Sequence, residues 1–217
     1  MKNSVPSLTS SKTLKWIKEK IEEVECDYQN TPGLILNETD LQCLLYRKLY
    51  DCFSEPQETL DHDIKAIALH TEIPWYDERG NLALNPDITL LDPQKMSIVY
   101  GTSIRTQERK FAYNQLPRKG FRFAGSAIII EIKFVKRVRG ISRGDIKDFK
   151  KDVEKTLDII KRFNRPQKNE ILGIIVIFNK TDKHVPEFKD FLDQYSNYSR
   201  LKIIYCTGKV DFETLLL

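Results

Sequence analysis

The stretch Ala127-Ile-Ile-Ile-Glu131-Ile-Lys133-Phe-Val135 is the one on which the fold turns. Alternate residues of a strand point to opposite faces. Ile128, Ile130, Ile132 and Phe134 therefore share one face, and Ile129, Glu131, Lys133 and Val135 share the other. Apolar side chains on both faces mark a strand in the interior of a sheet. Glu131 and Lys133 are then a carboxylate and an ammonium side by side where charge is costly. Burying two ions costs several kcal/mol each unless they are paired or bound to a metal, so function is a reason to expect them there. A solvated strand edge, where the two charges neutralise each other, is the competing reading, and the flanking isoleucines oppose it. The chain has two other Glu-x-Lys triplets, Glu108–Lys110 in a basic stretch and Glu187–Lys189 on an expected helix. Residues two apart on a helix do not face each other.

Working outward, a helix over about Gly144–Phe163 follows, with the stripe Ile146, Phe149, Val153, Leu157 and Ile160 and a cap from Ser142 with Asp145. Ile171–Phe178 is a fully apolar strand. Pro186 opens a short helix with Phe188, Phe191, Leu192 and Tyr195 on its apolar face, and Leu201–Cys206 is a last strand. Upstream, Ser10 or Ser11 caps a helix over about 12–25. Asn37 and Asp40 cap a second, whose stripe is Leu41, Leu45, Leu49 and Phe53. A period of two in Ile67, Leu69, Thr71 and Ile73 predicts a strand over about Ile64–Ile73. Tyr76–Asn81 reads as a turn, Asp87–Leu91 as a strand, and Thr102–Gly125 as an irregular basic insertion with hairpin character. The class is α/β, with strands covered by helices on both faces. The 217 residues form one domain: an N-terminal helical extension (1–36), a core (37–178) with the insertion at 102–125, and a C-terminal helix and strand (179–217).

A composition of 41% hydrophobic and 30% charged residues excludes a mostly disordered chain. The longest apolar run, Ile171–Phe178, is too short to span a bilayer, and the polar Met1–Ser11 carries no leader core. Cys26, Cys43, Cys52 and Cys206 have no CxxC spacing, and His62, His70 and His184 no metal-ligand spacing. Free thiols in a reducing cytoplasm are expected, with no membrane partner. The net charge of +4 averages two unlike parts. Arg105–Arg143 holds eleven basic and two acidic residues, a net of +9, and the remainder is −5. The basic side chains are Arg105, Arg109, Lys110, Arg118, Lys119, Arg122, Lys133, Lys136, Arg137, Arg139 and Arg143, interleaved with Phe111, Tyr113, Phe121 and Phe123. Lysines and arginines contact phosphates and aromatic rings stack on bases, so this segment is a nucleic-acid-binding candidate.

Two further acids stand out. Pro86-Asp87 is the only proline of nine followed by aspartate, and the proline suits the first residue of a strand. Asp87 then stands where that strand enters the sheet. Glu38 lies three residues before Leu41 and seven before Leu45, on the apolar stripe of its helix. An acid in the first turn is also favoured by the helix dipole alone.

In their order and their placement on strands, these features resemble the PD-(D/E)xK nuclease superfamily, the restriction-endonuclease-like fold. Its core is a helix, three strands, a helix and a further strand, and the resemblance covers about Asn37–Phe178. Pro86-Asp87 matches the family's Pro-Asp at the second core strand. Glu131-Ile132-Lys133 matches its (D/E)-x-K on the third, and Glu38 an acid on the first core helix. Asp152 and Lys155 are a looser match to the following helix, and Glu72 to an acidic position on the first strand. The chain departs from two branches, having no Gln-x-x-x-Tyr after the third strand and no histidine on the first core helix.

The resemblance implies a Mg²⁺- or Mn²⁺-dependent nuclease, with DNA favoured over RNA, acting in restriction, defence or mobile-element processing. Asp87, Glu131 and the Ile132 carbonyl would hold the ion, Glu38 a second ion or its waters, and Lys133 would serve the attacking water or the phosphate. Hydrolysing a shielded phosphodiester calls for a divalent cation, and hard oxygen donors suit Mg²⁺. Small nucleases of this type often dimerise to cut both strands, so the resemblance also allows a homodimer. The alternative is a catalytically silent nucleic-acid-binding or assembly module on the same fold.

Overall fold

The structure, a computed structural model, describes residues 8–76, 82–98, 121–163 and 170–209. Its first helices start at their capping residues. Helix α1 is Ser11–Asn30, and Ser10 Oγ accepts from the Thr13 N–H at 3.2 Å. It runs past the expected end near 25 because Tyr28 continues the apolar stripe and is buried. Helix α2 is Glu38–Phe53, where Asn37 Oδ1 accepts from the Asp40 N–H and the Asp40 carboxylate accepts from the Leu36 N–H, each at 2.9 Å. The bonds from Thr13 and Asp40 satisfy donors that the first helical turn leaves unpaired, and the one from Leu36 ties down the chain entering α2.

The strands, in chain order, are β1 (Gln57–Glu58), β2 (Lys65–Ala66), β3 (Leu69–Thr71), β4 (Trp75–Tyr76), β5 (Leu82–Leu84), β6 (Ile88–Leu91), β7 (Met96–Ser97), β8 (Arg122–Phe123), β9 (Ala127–Val135), β10 (Ile171–Asn179) and β11 (Leu201–Thr207). Helix α3 (Arg143–Phe163) joins β9 to β10, and α4 (Glu187–Tyr195) joins β10 to β11. Five strands form one mixed sheet in the order β11-β10-β9-β6-β3. Strands β9, β10 and β11 are parallel, while β6 runs antiparallel to both β9 and β3. Helical crossovers join the parallel strands, as that pairing requires. The stretch Ala127–Val135 is the interior strand its alternation predicts.

The expected strand over Ile64–Ile73 is corrected. Only Leu69–Thr71 joins the sheet, while Lys65 and Ala66 pair with β1. Glu72 has φ +51°, which no pleated strand accommodates, so β3 stops there. Trp75 and Tyr76 pair with Leu82–Leu84, so Tyr76 belongs to a strand rather than to the expected turn Tyr76–Asn81, whose other residues, 77–81, lie outside the described ones. Of the basic insertion, residues 102–120 also lie outside them. Its end does pair as a hairpin strand, Arg122 with Ser97 and Phe123 with Met96.

Helices α1 and α2 cover one face of the sheet, packing Ile17, Ile21, Leu41 and Leu45 against Ile128, Ile130 and Ile132. Helices α3 and α4 cover the other, with Phe149, Val153, Phe188 and Phe191 against Ile175 and Ile177. Trp75 and Leu84 complete that layer over Ile129, with Ile159 and Ile160 of α3. Among the described residues no helix is long and apolar enough to cross a membrane, and all four cysteines are free thiols.

Helix α3 approaches β10 closely at Gly173, where an added Cβ would lie 2.5 Å from Thr156 Cγ2 and 3.0 Å from Leu201 Cδ1. Overpacking a filled core typically costs about 1–3 kcal/mol. Gly173→Val is therefore expected to destabilise the fold by about that amount in urea unfolding, without altering the denaturant slope.

Candidate functional site

Strand β6 is shorter than β9. Its pairing runs from Leu91 opposite Ala127 to Ile88 opposite Ile130 and stops there. Beyond that point the edge of β9 has no strand beside it, and the backbone donors on that side need other partners. Carboxylates supply them. Asp87 Oδ2 accepts from the Ile132 N–H at 2.7 Å, and Glu38 Oε2 accepts from the Phe134 N–H at 3.1 Å. The N–H and C=O of a strand residue point to the same side. The Ile132 carbonyl therefore faces the same open edge as the Asp87 carboxylate.

Glu131 is 6% exposed and points to the α3 face. The solvated-edge reading is thereby excluded. Its carboxyl is pushed up to about 8, first by burial and then by the charge of Asp87, with which it is hydrogen-bonded. Burial also raises Asp87, against the lowering effect of the Ile132 N–H and Lys133. Two carboxyls this close share a proton rather than both ionise. Lys133 Nζ lies 3.8 Å from Glu131 Oε2 and 3.0 Å from Asp152 Oδ2. Burial works against its ammonium, but Glu131, Asp152 and Glu38 together outweigh it and hold the pKa above the ordinary lysine value. Asp152 also pairs with Lys155 at 3.0 Å, so a chain of charges runs from the sheet to the exposed side of α3.

Asp87, Glu131, Lys133 and Glu38 are thus brought together. Glu38 differs from its expected placement, because it is exposed and reaches the sheet edge rather than the core. Of Glu72, the backbone takes part: its N–H donates to the Asp87 carbonyl at 3.3 Å. Gln42, which the sequence reading does not single out, donates from Nε2 to the same carbonyl at 2.8 Å. The signal for it was available, since residue i+4 from Glu38 lies on the same helix face.

The nucleic-acid candidates are only partly described. Arg105, Arg109, Lys110, Arg118 and Lys119 lie outside the described residues, as does the Arg122 side chain. Lys136 and Arg139 are exposed in the loop after β9. Arg137 pairs with Asp145, and Arg143 Nε donates to Glu187 Oε1 at 2.7 Å. Phe121 and Phe123 are half-buried and pack against the cluster around Trp75 and Ile129.

The donor set suits a hard divalent ion. Two carboxyls and a backbone carbonyl meet at one edge, and the strain of the acidic pair is what a cation relieves. Among the described residues no three His, Cys, Asp or Glu side chains gather as a ligand cluster, so the fit depends on the Ile132 carbonyl as third donor.

The acidic pair has a consequence for stability. Glu131 titrates at an ordinary 4.5 when unfolded and at about 8 in the fold. Between these values the folded state holds a proton that the unfolded chain has released, so stability falls as pH rises. In EDTA the Tm is expected to decline from about pH 5 to about pH 8, and Glu131→Gln to flatten that decline. A Tm that rises over the same window would contradict the shared proton.

Neither protein-family models, nor curated proteins, nor solved structures match this chain.

Proposed function

We propose that this chain is a metal-dependent nuclease, a DNA endonuclease on a restriction-endonuclease-like core. The observation that carries the reading is the meeting of Asp87 and Glu131 at the open edge of β9 with Lys133 beside them. The order α2, β3, β6, β9, α3, β10 supports it, since it repeats the helix, three strands, helix and strand of the resembled core.

Asp87, Glu131 and the Ile132 carbonyl would hold Mg²⁺ or Mn²⁺, with Glu38 beside them to fix its waters. When bound, the ion neutralises phosphate charge and lowers the pKa of coordinated water. Asp87 stays oriented by the Ile132 N–H. Glu131 must give up its proton to become a ligand, so affinity for the ion depends on pH. Lys133 is an ammonium and has no vacant lone pair to take a proton from water. Its task is to donate a hydrogen bond to a phosphoryl oxygen as negative charge grows there. Asp152 anchors that ammonium from α3. Lys136 and Arg139 lie just beyond the end of β9 and would extend the phosphate contact along the loop after it.

Incubation with plasmid, linear duplex, single strands and RNA, with Mg²⁺, Mn²⁺ or EDTA, tests the proposal. Cleavage is expected with either ion and not with EDTA. Lys133→Ala should lower it by about 100-fold or more while nucleic-acid binding is retained. Binding that needs no metal, with no cleavage of any substrate, would establish a silent binding module instead. Mn²⁺ affinity by titration calorimetry is expected to rise as pH goes from about 6 to about 8, and Asp87→Asn should abolish it. An affinity that does not change over this range would remove Glu131 from the ligand set.

The basic segment is tested by salt dependence. Replacing Arg118, Lys119 and Arg122 with alanine is expected to weaken duplex binding and to reduce the slope of log K against log salt by about 0.9 for each phosphate that is no longer neutralised. An unchanged slope would move the nucleic-acid surface elsewhere.

A further inference from the structure

We propose that Gln42 is a positioning residue of the metal centre: it fixes the main chain of Asp87 and so sets where that carboxylate stands. The inference rests on the nuclease reading and deepens it. Glu38 and Gln42 are one turn apart on α2 and reach the same gap in the sheet. Glu38 accepts from Phe134 on β9, and Gln42 donates to the Asp87 carbonyl where β6 begins.

A carbonyl oxygen has two lone pairs. That of Asp87 accepts from Gln42 Nε2 at 2.8 Å and from the Glu72 N–H at 3.3 Å. Glu72 is one of two non-glycine residues with positive φ among the described residues, at +51°. Backbone held in this region is kept there by its surroundings, and such positions cluster at functional sites. On its other side Asp87 follows Pro86, whose ring fixes φ and which is buried. The Asp87 main chain is thus held by the proline ring, a strained amide and a side chain from another element. What remains free is the short Asp87 side chain, and the Ile132 N–H takes its Oδ2. Without Gln42 the carbonyl keeps only the longer of its two bonds, and the start of β6 can shift against β9. Groups that orient a ligating carboxylate in this way typically govern metal affinity by about 10–100-fold.

The test compares wild type with Gln42→Met, which keeps the length of the side chain and loses the donor. Mn²⁺ affinity is read by titration calorimetry, folding by circular dichroism and Tm, and plasmid cleavage by kcat and KM. Mn²⁺ binding is expected to weaken by about 10-fold or more, with kcat reduced, the KM for DNA within about twofold and the folded spectrum unchanged. Mn²⁺ affinity and kcat at wild-type levels would overturn the proposal while leaving the nuclease reading intact. A loss confined to the KM for DNA would also overturn it and make Gln42 a substrate contact. If the wild type neither binds Mn²⁺ nor cleaves, the nuclease reading fails and this inference falls with it. Gln42→Ala, a better helix former, carries the same comparison should the methionine variant not fold.

Discussion

Everything at the candidate centre depends on one mismatch in length: β6 ends opposite Ile130 while β9 continues to Val135. A backbone N–H left without a partner in a covered sheet is costly, comparable to a lost hydrogen bond. Here carboxylates meet the need of Ile132 and Phe134. The same requirement that completes most sheets with another strand thus draws two acids to one edge. It also leaves the Ile132 carbonyl facing them, because the two backbone groups of a strand residue share a side.

Once the acids are gathered, electrostatics sets their character. Glu131 lies among isoleucines and beside Asp87, so its carboxyl holds a proton up to about pH 8. Lys133 is half-buried and stays charged, because the acidic groups around it, with Asp152 in closest contact, outweigh the cost of burial. Its geometry favours Asp152 on α3 over Glu131 on its own strand, at 3.0 against 3.8 Å. The centre therefore draws on both layers: α2 contributes Glu38 and Gln42 from one side of the sheet, and α3 contributes Asp152 from the other.

Much of this was legible in the sequence, for identifiable reasons. The interior strand, the two capped N-terminal helices and the amphipathic α3 followed from periodicity and caps, which are local properties. The pairing of Asp87 with Glu131 could be expected only through a family resemblance, since they stand 44 positions apart in the chain. The strand that the period of two predicts over 64–73 ends at Thr71, because the backbone turns at the positive φ of Glu72 while the alternation persists past it. Gln42 shares a helix face with Glu38, but the backbone carbonyl that its amide meets is fixed only once α2 is placed beside the start of β6. Phe121 and Phe123 lie in a basic run, and only the folded chain shows one side of each ring packed on the cluster around Trp75.

The sequence by itself determined which residues are ionisable candidates for a site and which face of each element is apolar. Those depend on residue type and on the fixed periods of helix and strand. Tertiary structure decided where β6 stops, which carboxylates answer the donors left on β9, and which acid holds Lys133. These are decided by strand register and by helix placement across the sheet, and both arise from packing between segments far apart in the chain.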